Sequence, residues 1–521
     1  MTDVPPLAGD HATVADAFEA AAVQHGSRFA YVGGDERLTF AEWHRRADVV
    51  ARGLVESGVR PGDVVVMMLP STHDYAIAYG AIMLAGGVAS GVNPRLGRRE
   101  IEAVLRIARP RVVIHDAATF DVSREEVESQ LDAPGARVID LAELAGFGGR
   151  AGLGSDRPRR GPDDPAVIIW TSGTTGVPKG AWFDHRGLHA AVASAGVMSA
   201  PYDVKLGGTP FPHAGYAAKL WDQLAWGTTN VAAPTPWRAT DMLRLLVEER
   251  ITVAGGVPAQ WAKLLEEPGL ADADLSHIRV GLVATAPASP ELIERVSTSI
   301  GCPLVVRYAM TESPSITGTE PDDDPDVQFR TVGRPQRGME VSIVDESGVE
   351  RAPGRVGRVR VRGACVMRGY WNDPERTAAA LGTDGWLTSS DLGCFDERGN
   401  LVLAGRVDDM YIRGGYNVYP LEVENTLAEH PAIERAAVVG LPVPVIGEIG
   451  VAFVTLASPA EPPSLAAVRA WVGERLADYK APDRLVVVDE LPLTAMMKVD
   501  KVELARQAAA TTDDREQRGN R

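Results

Sequence analysis

A glycine-rich segment at residues 170–180 constrains this chain more than any other feature. It reads W-T-S-G-T-T-G-V-P-K-G and follows an apolar run, A-V-I-I, at residues 166–169. The apolar run is typical of a buried strand, so the glycine-rich segment is predicted to be the loop that leaves this strand. Glycines let successive N–H groups turn toward one anion, hydroxyl side chains add donors, and Lys179 adds a positive charge. The sequence therefore predicts a site that holds a polyphosphate.

This segment differs from the Walker loop of many nucleotide-binding proteins, whose pattern is G-x-x-x-x-G-K-S/T. Counted from Gly173, Pro178 replaces the last glycine and Gly180 replaces the final hydroxyl residue. The segment instead resembles the phosphate loop of the adenylate-forming superfamily, which includes acyl-CoA synthetases, adenylation domains and luciferases. A serine- and glycine-rich surface turn without a ligand is the alternative. Besides Lys179, the ATP-binding loop residues that the resemblance implies are Thr171, Ser172, Gly173, Thr174, Thr175 and Gly176.

The composition is typical of a globular protein and argues against several partners. The chain has 521 residues, of which 45% are hydrophobic and 24% charged. Its formal net charge of -17 argues against nucleic acid or an anionic membrane as a general partner. The apolar runs are too short to span a bilayer, and residues 1–10 lack the apolar segment of a secretory signal. The three cysteines lack the spacing of a zinc site or a disulfide framework, so we expect a cytoplasmic protein.

Helical and strand patterns alternate along most of the chain. Such alternation predicts an α/β fold with parallel sheets and right-handed crossovers. Helices are predicted at residues 14–22, 41–54, 75–85, 101–107, 242–249 and 258–265, and strands at 64–69, 112–114, 251–255, 340–345 and 355–362. A smaller C-terminal unit is predicted from helices at 421–430 and 465–475 and strands at 436–439 and 449–456.

Further segments match the same superfamily, in the order in which that superfamily uses them, so that the resemblance covers most of the chain. It implies a large N-terminal domain, residues 1–404, built of layered α/β sheets with a small β-barrel-like part. A hinge at residues 405–409 follows, with Asp408 as the residue about which rotation occurs. Residues 410–521 are then expected to form a small, mobile α+β domain that rotates between two half-reactions.

One of these segments is F-P-H-A-G-Y at residues 211–216. The resemblance places His213 at the edge of an acyl pocket, near the carboxylate that attacks ATP, whereas a packed core histidine is the alternative. Lys219 suits a polar or acidic ring substituent if it faces this pocket, and a solvated lysine is the alternative. The other acyl-pocket residues that the resemblance implies are Gly215, Tyr216, Ala284, Ala286 and Ala309. Tyr216 is equally suited to a core position.

The segment Y-A-M-T-E at residues 308–312 resembles the Y-G-x-T-E motif of the superfamily. The resemblance implies that Tyr308 binds ATP, that Thr311 contacts the α-phosphate and that Glu312 is a ligand of Mg²⁺. One carboxylate beside phosphate oxygens is a ligand set that Mg²⁺ prefers. Ala309 replaces the usual glycine, and A-T-A-P at residues 284–287 replaces the usual G-G-A-P. Ala309 adds a methyl group beside the expected adenine and acyl pockets, and residues 284–287 are expected to line the same region.

Two segments before the C-terminal unit resemble the ribose-binding and hinge motifs. S-S-D at residues 389–391 corresponds to T-G-D, which implies that Asp391 accepts hydrogen bonds from the ribose hydroxyls. Ser390 replaces the glycine, and a simple turn or helix cap is the alternative for this segment. The resemblance also implies that Arg406, in G-R-V-D-D, reaches the ribose or the phosphates.

The C-terminal unit carries the segments expected to act after rotation. The loop of Arg413, Gly414 and Gly415 is implied to line the channel for the pantetheine arm of coenzyme A, and Tyr416 replaces the more usual glutamate after it. Lys480, in Y-K-A-P, is implied to approach the phosphates of coenzyme A. A solvated surface lysine is the alternative for Lys480.

Lys498 is identified with the lysine that catalyses adenylation. The resemblance implies that it contacts the carboxylate and the α-phosphate and offsets charge on phosphorus. Met497 stands where the superfamily usually has glycine. This substitution is expected to stiffen the loop without changing the role of the lysine.

Together these residues predict an AMP-forming acyl- or aryl-CoA synthetase that uses ATP, Mg²⁺ and coenzyme A. Within the enzyme class, the acceptor is alternatively a carrier-protein thiol in trans, an amine, or nitrite in diazo formation. A non-catalytic binder and a kinase or hydrolytic NTPase are the rival classes. The presence of Lys498 and Glu312 argues against the first rival, and the absent Walker pattern against the second. Aromatic, alicyclic and medium-chain acids all fit as substrates, with a slight preference for a cyclic acid.

Overall fold

The computed structural model describes residues 5–149, 151–171, 177–284, 288, 290–414, 416–443, 446–457, 461–494 and 498–519. The strands in these ranges are β1 Phe29–Gly33, β2 Glu36–Thr39, β3 Val64–Met68, β4 Val88–Gly91, β5 Val112–His115, β6 Arg137–Asp140, β7 Pro165–Thr171, β8 Lys179–Asp184, β9 Val204–Leu206, β10 Thr229–Val231, β11 Val253–Gly256, β12 Val280–Ala284, β13 Leu304–Met310, β14 Ser313–Gly318, β15 Arg334–Pro335, β16 Met339–Val344, β17 Gly357–Gly363, β18 Gly369–Tyr370, β19 Leu387–Phe395, β20 Leu401–Arg406, β21 Tyr411–Arg413, β22 Tyr416–Val418, β23 Ile433–Val443, β24 Gly447–Leu456 and β25 Arg484–Val487.

The α-helices alternate with these strands over most of the chain. They are α1 Val14–Gln24, α2 Phe40–Glu56, α3 His73–Leu84, α4 Arg98–Ala108, α5 Arg124–Ser129, α6 Leu141–Ala145, α7 His185–Ala193, α8 Ala214–Ala217, α9 Leu220–Trp226, α10 Ala239–Glu248, α11 Pro258–Leu265, α12 Pro290–Ile300, α13 Pro325–Arg330, α14 Pro374–Ala380, α15 Pro420–Ala428, α16 Leu465–Gly473 and α17 Lys501–Gly519. Local signals explain many of the starts: Thr13, for example, caps α1 and forms a reciprocal capping box with Asp16.

Two large sheets form most of the molecule. One has seven strands in the order β18-β8-β7-β4-β3-β5-β6, and the other has nine in the order β15-β14-β13-β12-β11-β9-β10-β1-β2. The inner pairs of both sheets are parallel, and so is the edge pair β5–β6, whereas the pairs at the other edges are antiparallel. Parallel strands buried on both faces require continuous apolar runs, and β3, V-V-V-M-M, is buried at each of its five positions.

The main core joins these sheets through the first three helices. Every residue of α3 except Asp74 is buried, because other elements surround most of this helix. The Trp43 ring of α2 packs 4.3 Å, centroid to centroid, from Phe18 of α1, and its Nε1 donates to the carbonyl of Ala76 in α3 at 2.9 Å. A buried tryptophan with its N–H satisfied contributes both apolar burial and a fixed orientation.

Two smaller sheets follow in the chain. Strands β16, β17, β19 and β20 form an antiparallel sheet that ends at Arg406, and strands β21–β25 form a second sheet with helices α15 and α16. The predicted fold class is confirmed: a mixed α/β architecture with a large N-terminal sheet domain and a small C-terminal domain. In the described part of the chain, no helix has the length and apolar character needed to cross a membrane.

Candidate active site

The candidate active site lies where parallel strands of both large sheets end. Strand β7 ends at Thr171, β12 at Ala284 and β13 at Met310. Ligands of open α/β sheets bind in the crevice outside the carboxyl ends of their strands, because chain reversals there leave backbone groups free. The structure places Thr171 at this edge, and Lys179 at the start of the antiparallel strand β8. Residues 172–176, with Ser172, Gly173, Thr174, Thr175 and Gly176, lie outside the described residues.

Thr311 and Glu312 form the turn between β13 and β14. Met310 pairs with Ser313 across the hairpin, so the two residues between them connect the strands directly. The side chains of both remain partly accessible to solvent. The carbonyl of Glu312 accepts a 2.8 Å hydrogen bond from the N–H of Met367, which ties this turn to the chain leading into β18. The turn thus carries one hydroxyl and one carboxylate to the crevice.

The Tyr370 hydroxyl fixes the Glu312 carboxylate. It donates to Oε1 of Glu312 at 2.7 Å, while Nζ of Lys179 lies 5.0 Å from the centroid of the Tyr370 ring. Tyr370 belongs to β18, which pairs with β8, so this bond joins the two large sheets at the site. Among the described residues, Oε2 of Glu312 has no hydrogen-bond partner and stays free for a ligand. Burial and the Glu312 charge both raise the pKa of Tyr370, which therefore remains a hydrogen-bond donor at neutral pH.

Asp391 lies beside Tyr308, and the charge of Glu312 acts on it. Its Oδ2 accepts a hydrogen bond from the Tyr308 hydroxyl at 2.6 Å, and its backbone N–H donates to Oγ of Ser389 at 3.0 Å. Burial raises the pKa of Asp391 above its ordinary value, and the Tyr308 bond and the charge of Arg406 oppose that rise. Two oxygens of a largely desolvated carboxylate form a strong acceptor for a pair of hydroxyl groups.

Ser390 and Asp391 together position Arg406. Arg406 pairs with Asp391 across the β19–β20 ladder, and its Nε lies 3.6 Å from Oδ1 of Asp391. The Arg406 Nη2 donates to the Ser390 hydroxyl at 3.2 Å. A glycine at position 390 would lack that hydroxyl, so this departure supplies an additional contact to the arginine. Asp408 follows in an exposed turn, with its Oδ2 3.7 Å from Nη2 of Arg406.

His213 caps the short helix α8 and is held in its neutral form. Its Nδ1 accepts a 3.1 Å hydrogen bond from the N–H of Gly215, which leaves the proton of a neutral ring on Nε2. Burial and the positive charge of Lys498 lower the pKa of His213 to about 4. In the described residues Nε2 has no protein partner, so His213 can offer one N–H donor to a ligand.

Lys498 acts electrostatically on two of the predicted site residues. Its charge lowers the pKa of His213, and it also stabilises the ionised form of Asp391. Desolvation and the charge of Arg406 lower the pKa of Lys498 itself, although its side chain keeps contact with solvent. The N–H of Thr494 donates to the carbonyl of Lys498 at 2.7 Å. The charge of Lys498 therefore acts on two of the predicted site residues, His213 and Asp391.

The residues predicted for the acyl pocket occupy different environments. Gly215 and Ala309 are exposed at the crevice, and Ala284 ends β12. The Tyr216 ring stacks on Phe211 with centroids 3.9 Å apart, and its hydroxyl lies 2.6 Å from that of Tyr31. Tyr216 therefore packs within an aromatic cluster beneath the crevice. Lys219 lies deeper, and Ala286 is outside the described residues.

The predicted coenzyme A residues form ion pairs within the C-terminal unit. Arg413 makes a bidentate pair with Asp483, at 2.8 and 2.6 Å. Lys480 Nζ lies 2.6 Å from Oε2 of Glu422, so it is not the freely solvated lysine that the sequence left open. Gly414 adopts φ +58°, and a Cβ there would meet open space, whereas Gly415 lies outside the described residues.

Comparison with known proteins identifies the family. Residues 18–371 match the family model of the AMP-binding enzymes, and residues 422–498 match the model of the AMP-binding enzyme C-terminal domain. The chain belongs to the AMP-binding enzyme family. It is 34% identical over 517 residues to a 3-((3aS,4S,7aS)-7a-methyl-1,5-dioxo-octahydro-1H-inden-4-yl)propanoyl:CoA ligase of Rhodococcus jostii (strain RHA1), with 94% of this chain and 97% of the relative covered. It is 32% identical to a feruloyl-CoA synthase of an Amycolatopsis species, with 94% and 96% covered.

Solved structures of similar proteins have the same architecture. The ATP-bound MatB of Rhodopseudomonas palustris superposes with a TM-score of 0.86 at 29% identity, covering 95% of this AMP-binding enzyme and 98% of that chain. The amide bond synthetase McbA of Marinactinospora thermotolerans superposes with a TM-score of 0.85 at 30% identity, covering 95% and 99%. The similarity therefore extends over both the large and the small part of the enzyme.

Sequence reasoning did not identify Tyr370 as a site residue of this AMP-binding enzyme. Its signal in the sequence is weak: G-Y-W at residues 369–371 is an aromatic pair between a glycine and the turn residues N-D-P. The contact with Glu312 joins residues 58 positions apart, and no local pattern specifies such a pair. The stacked rings of Tyr416 and Tyr479, with centroids 4.6 Å apart, were likewise not foreseen.

Proposed function

We propose that this enzyme is an AMP-forming acyl-CoA synthetase. It activates a carboxylic acid with ATP, giving an acyl-adenylate and pyrophosphate, and then transfers the acyl group to coenzyme A with release of AMP. The observation that carries this proposal is the placement of Lys498, whose charge acts on His213 and on Asp391 at once. His213 is a hydrogen-bond donor for the carboxylate, and Asp391 is an acceptor for the ribose. A cation that acts on both is suited to stabilise the bond that forms between the carboxylate and the α-phosphate.

In the first half-reaction a carboxylate oxygen attacks the α-phosphorus and pyrophosphate leaves. The neutral His213 donates its Nε2–H to the carboxylate and orients it, and His213 neither gains nor loses a proton in the step. Lys179 and Lys498 offset the negative charge that spreads over the phosphate oxygens. Asp391 holds the ribose hydroxyls, and Thr311 contacts the α-phosphate. Positioning and electrostatic stabilisation are therefore the main tasks of the protein.

The residues at the β13–β14 turn fit a magnesium ion. Glu312 keeps one oxygen without a protein partner in the described structure, while the other accepts from Tyr370, so the carboxylate is oriented but not saturated. Within the described residues no cluster of three or more His, Cys, Asp or Glu side chains could form an all-protein metal cage. One carboxylate with substrate phosphate oxygens and water is a usual Mg²⁺ environment. The bound ion would neutralise phosphate charge.

The second half-reaction requires a change of the groups that face the acyl-adenylate. We assign residues 1–404 to the large domain, 405–409 to the hinge and 410–521 to the rotating domain, with Asp408 as pivot. The exposed turn at Asp408 can absorb a backbone change without disturbing a core. Rotation removes Lys498 from the crevice and brings in the loop of Arg413, Gly414 and Gly415. Lys480 then supplies charge toward the phosphates of coenzyme A.

The substrate that we propose is a cyclic or aromatic carboxylic acid. Two relatives that cover nearly the whole chain are named for acids with ring systems, a dioxo-octahydroindenyl propanoyl group and a feruloyl group. Gly215 and Ala309 are both exposed, and neither adds a bulky side chain beside His213. A flat ring makes more contact with such a surface than a flexible chain and loses less conformational entropy on binding.

We infer that the enzyme acts in the cytoplasm. Its cysteines, Cys302, Cys365 and Cys394, are all free thiols, two of them buried. Free thiols that are not paired in the fold are the usual state in a reducing compartment. ATP and coenzyme A are available together in such a compartment, which the proposed reaction requires.

An acceptor other than coenzyme A is the second candidate. The amide bond synthetase McbA has the same architecture, and a fatty acid–acyl-carrier-protein ligase of Streptomyces coeruleorubidus is 31% identical to this chain. In the structure Arg413 pairs with Asp483 and Lys480 pairs with Glu422, so the charge that Lys480 would supply to the phosphates of coenzyme A is available only after its pair opens. A carrier-protein thiol, an amine or nitrite as acceptor would not require the Lys480–Glu422 pair to open.

The experiment that tests the proposal is pyrophosphate–ATP isotope exchange with a panel of carboxylic acids. We expect exchange that depends on both the acid and Mg²⁺. Net AMP formation should become catalytic when coenzyme A is added. Exchange that coenzyme A never converts into turnover would favour the other acceptors, and the absence of exchange with every acid would overturn the proposal.

A further inference from the structure

Lys219 is a largely buried lysine in the segment that follows His213. It follows helix α8 and precedes α9: its N–H donates to the carbonyl of Tyr216 at 2.8 Å, and its carbonyl accepts from the N–H of Gln223 at 3.0 Å. It comes six residues after His213, across the four-residue helix α8 and the turn that leads into α9. Lys219 thus belongs to the segment that directly follows the capping histidine of the crevice.

The surroundings of Lys219 are buried and polar. Its charge acts on the thiol of Cys365, opposing the effect of burial, which raises the pKa of that thiol. Cys365 Sγ lies 3.5 Å from the Ser194 hydroxyl, and the Ser194 carbonyl accepts from the Ser315 hydroxyl at 3.3 Å. Ser315 belongs to β14, the strand that follows the turn of Glu312. Through Cys365 and Ser194, Lys219 is therefore connected to the strand that follows the Thr311–Glu312 turn.

The ammonium of Lys219 has no acceptor among the described residues. Asp222 is the nearest acid in sequence, but its oxygens accept from Ser199, at 3.0 and 2.8 Å, and from Lys205, at 2.9 Å. A buried cation without a partner costs free energy, and burial accordingly lowers the pKa of Lys219. Part of the side chain nevertheless stays accessible to solvent, so it borders a space rather than a packed core.

We propose that Lys219 binds an oxygen substituent at the far end of the substrate, so that the enzyme selects cyclic carboxylic acids that carry a second carboxylate or a hydroxyl group opposite the reacting carboxylate. This inference rests on the proposed function, which it deepens. An ammonium with three donors and no acceptor is complementary to either oxygen group. The oxygen group of the substrate then accepts a hydrogen bond from the Lys219 ammonium, whereas an acid without such a group leaves this ammonium without an acceptor.

Matched acids test this inference. Pyrophosphate–ATP exchange is measured for para-carboxycinnamate, para-hydroxycinnamate and para-methylcinnamate, which share one skeleton and differ at the far end. We expect kcat/KM for at least one of the oxygen-bearing acids to exceed that for the methyl acid by about tenfold to a hundredfold, the range for a hydrogen bond to a charged group. Preference for the carboxylate identifies an anion site, and preference for the hydroxyl identifies a neutral acceptor.

The variant Lys219→Met keeps the length of the side chain and removes its charge. We expect it to lose the preference while retaining exchange with the methyl acid, and Lys219→Arg to retain part of the preference. Lys205→Met, which removes the neighbouring paired lysine, serves as a control for loss of a buried charge, and binding of ATP confirms that each variant is folded. Equal kcat/KM for the three acids in the wild type, or an unchanged preference in Lys219→Met, would overturn the inference while leaving the synthetase activity intact. Exchange with none of the acids in any protein would overturn the inference; failure of every acid in the wider panel would overturn the proposed function.

Discussion

The Tyr308 hydroxyl donates a 2.6 Å hydrogen bond to Oδ2 of Asp391, although the two residues lie 83 positions apart in the chain. Tyr308 comes from β13 of the nine-stranded sheet, where it pairs with Thr317, and Asp391 comes from the small antiparallel sheet that ends at Arg406. The bond therefore fixes the orientation of the small sheet's carboxylate against the crevice. A carboxylate oriented before the ligand arrives loses less entropy when it binds.

Replacing Asp391 with alanine is expected to weaken ATP binding by about tenfold to a hundredfold. Hydrogen bonds to a charged group contribute about 1.5–3 kcal/mol, and a tenfold change in Kd corresponds to about 1.4 kcal/mol. Isothermal titration of ATP in the absence of an acid measures the effect. Asp384→Ala is the matched control, because Asp384 is an exposed acid that pairs with Arg360 at 3.1 Å. An unchanged Kd in Asp391→Ala would remove this residue from the ribose site.

Replacing Tyr370 with phenylalanine is expected to raise the Mg²⁺ concentration needed for half-maximal exchange. The substitution removes the 2.7 Å hydrogen bond that orients Glu312 but keeps the ring that Lys179 faces. We expect a shift of about three- to tenfold, because the carboxylate itself remains. Titration of Mg²⁺ at saturating ATP and acid gives the value. The control is Tyr202→Phe, which changes a tyrosine remote from Glu312, and an equal Mg²⁺ requirement in all three proteins would contradict the role of Tyr370.

The stability of the enzyme is expected to fall between pH 6.5 and 4 partly because of His213. Its pKa is lowered to about 4 from 6.5. In this window the unfolded chain binds a proton that the native site refuses, so stability decreases as the pH falls. A shift of this size corresponds to at most about 3 kcal/mol, less the screening by solvent. His185, whose pKa is also lowered to about 4, acts in the same direction.

Thermal unfolding at several pH values measures this effect. The Tm of His213→Gln should decrease less than that of the wild type between pH 6.5 and 4.5, because glutamine has no proton to bind. His11→Gln, which alters a histidine near the N-terminus that contacts the Ala8 carbonyl, should follow the wild type. Parallel decreases in the wild type and His213→Gln would show that His213 does not remain neutral in the native state.

Replacing Gly414 with leucine is expected to slow thioester formation at least tenfold while sparing adenylation. Gly414 has φ +58°, so a side chain there strains the backbone and projects into the loop assigned to the coenzyme A channel. Gly399 offers a matched control, since it has φ +79° and open space for a Cβ but lies in the β19–β20 turn. Rapid-quench assays resolve the two half-reactions. Equal transfer rates in Gly414→Leu and the wild type would exclude this loop from the thiol path.

The sequence patterns sufficed for the elements that local chemistry specifies. Helix α11 begins and ends at the predicted residues, because proline favours its first turn and an apolar stripe follows. The strand predicted at 436–439 instead extends over Ile433–Val443, since pairing along the whole of β24 stabilises residues whose own pattern is irregular. The family resemblance and the fold class were both predicted from the ordered motifs and are confirmed.

Contacts between distant residues could not be read from the sequence. The Lys480–Glu422 and Arg413–Asp483 pairs join elements whose separation depends on the packed C-terminal sheet. Tyr216 illustrates the same limit of pattern reasoning: its position after His213 suits a pocket, but its ring packs in the aromatic cluster and its hydroxyl meets Tyr31. Side-chain direction on a four-residue helix such as α8 follows from tertiary packing rather than from spacing.

The central claim is that one site performs two half-reactions with different residues of the rotating domain. The most direct measurement compares both half-reactions in Lys498→Ala: acyl-adenylate formation from acid and ATP, and thioester formation from chemically prepared acyl-adenylate and coenzyme A. We predict that the variant loses the first by at least about a thousandfold, as when a main electrostatic stabiliser is removed, and keeps the second within about threefold. Equal losses in both half-reactions would contradict the claim.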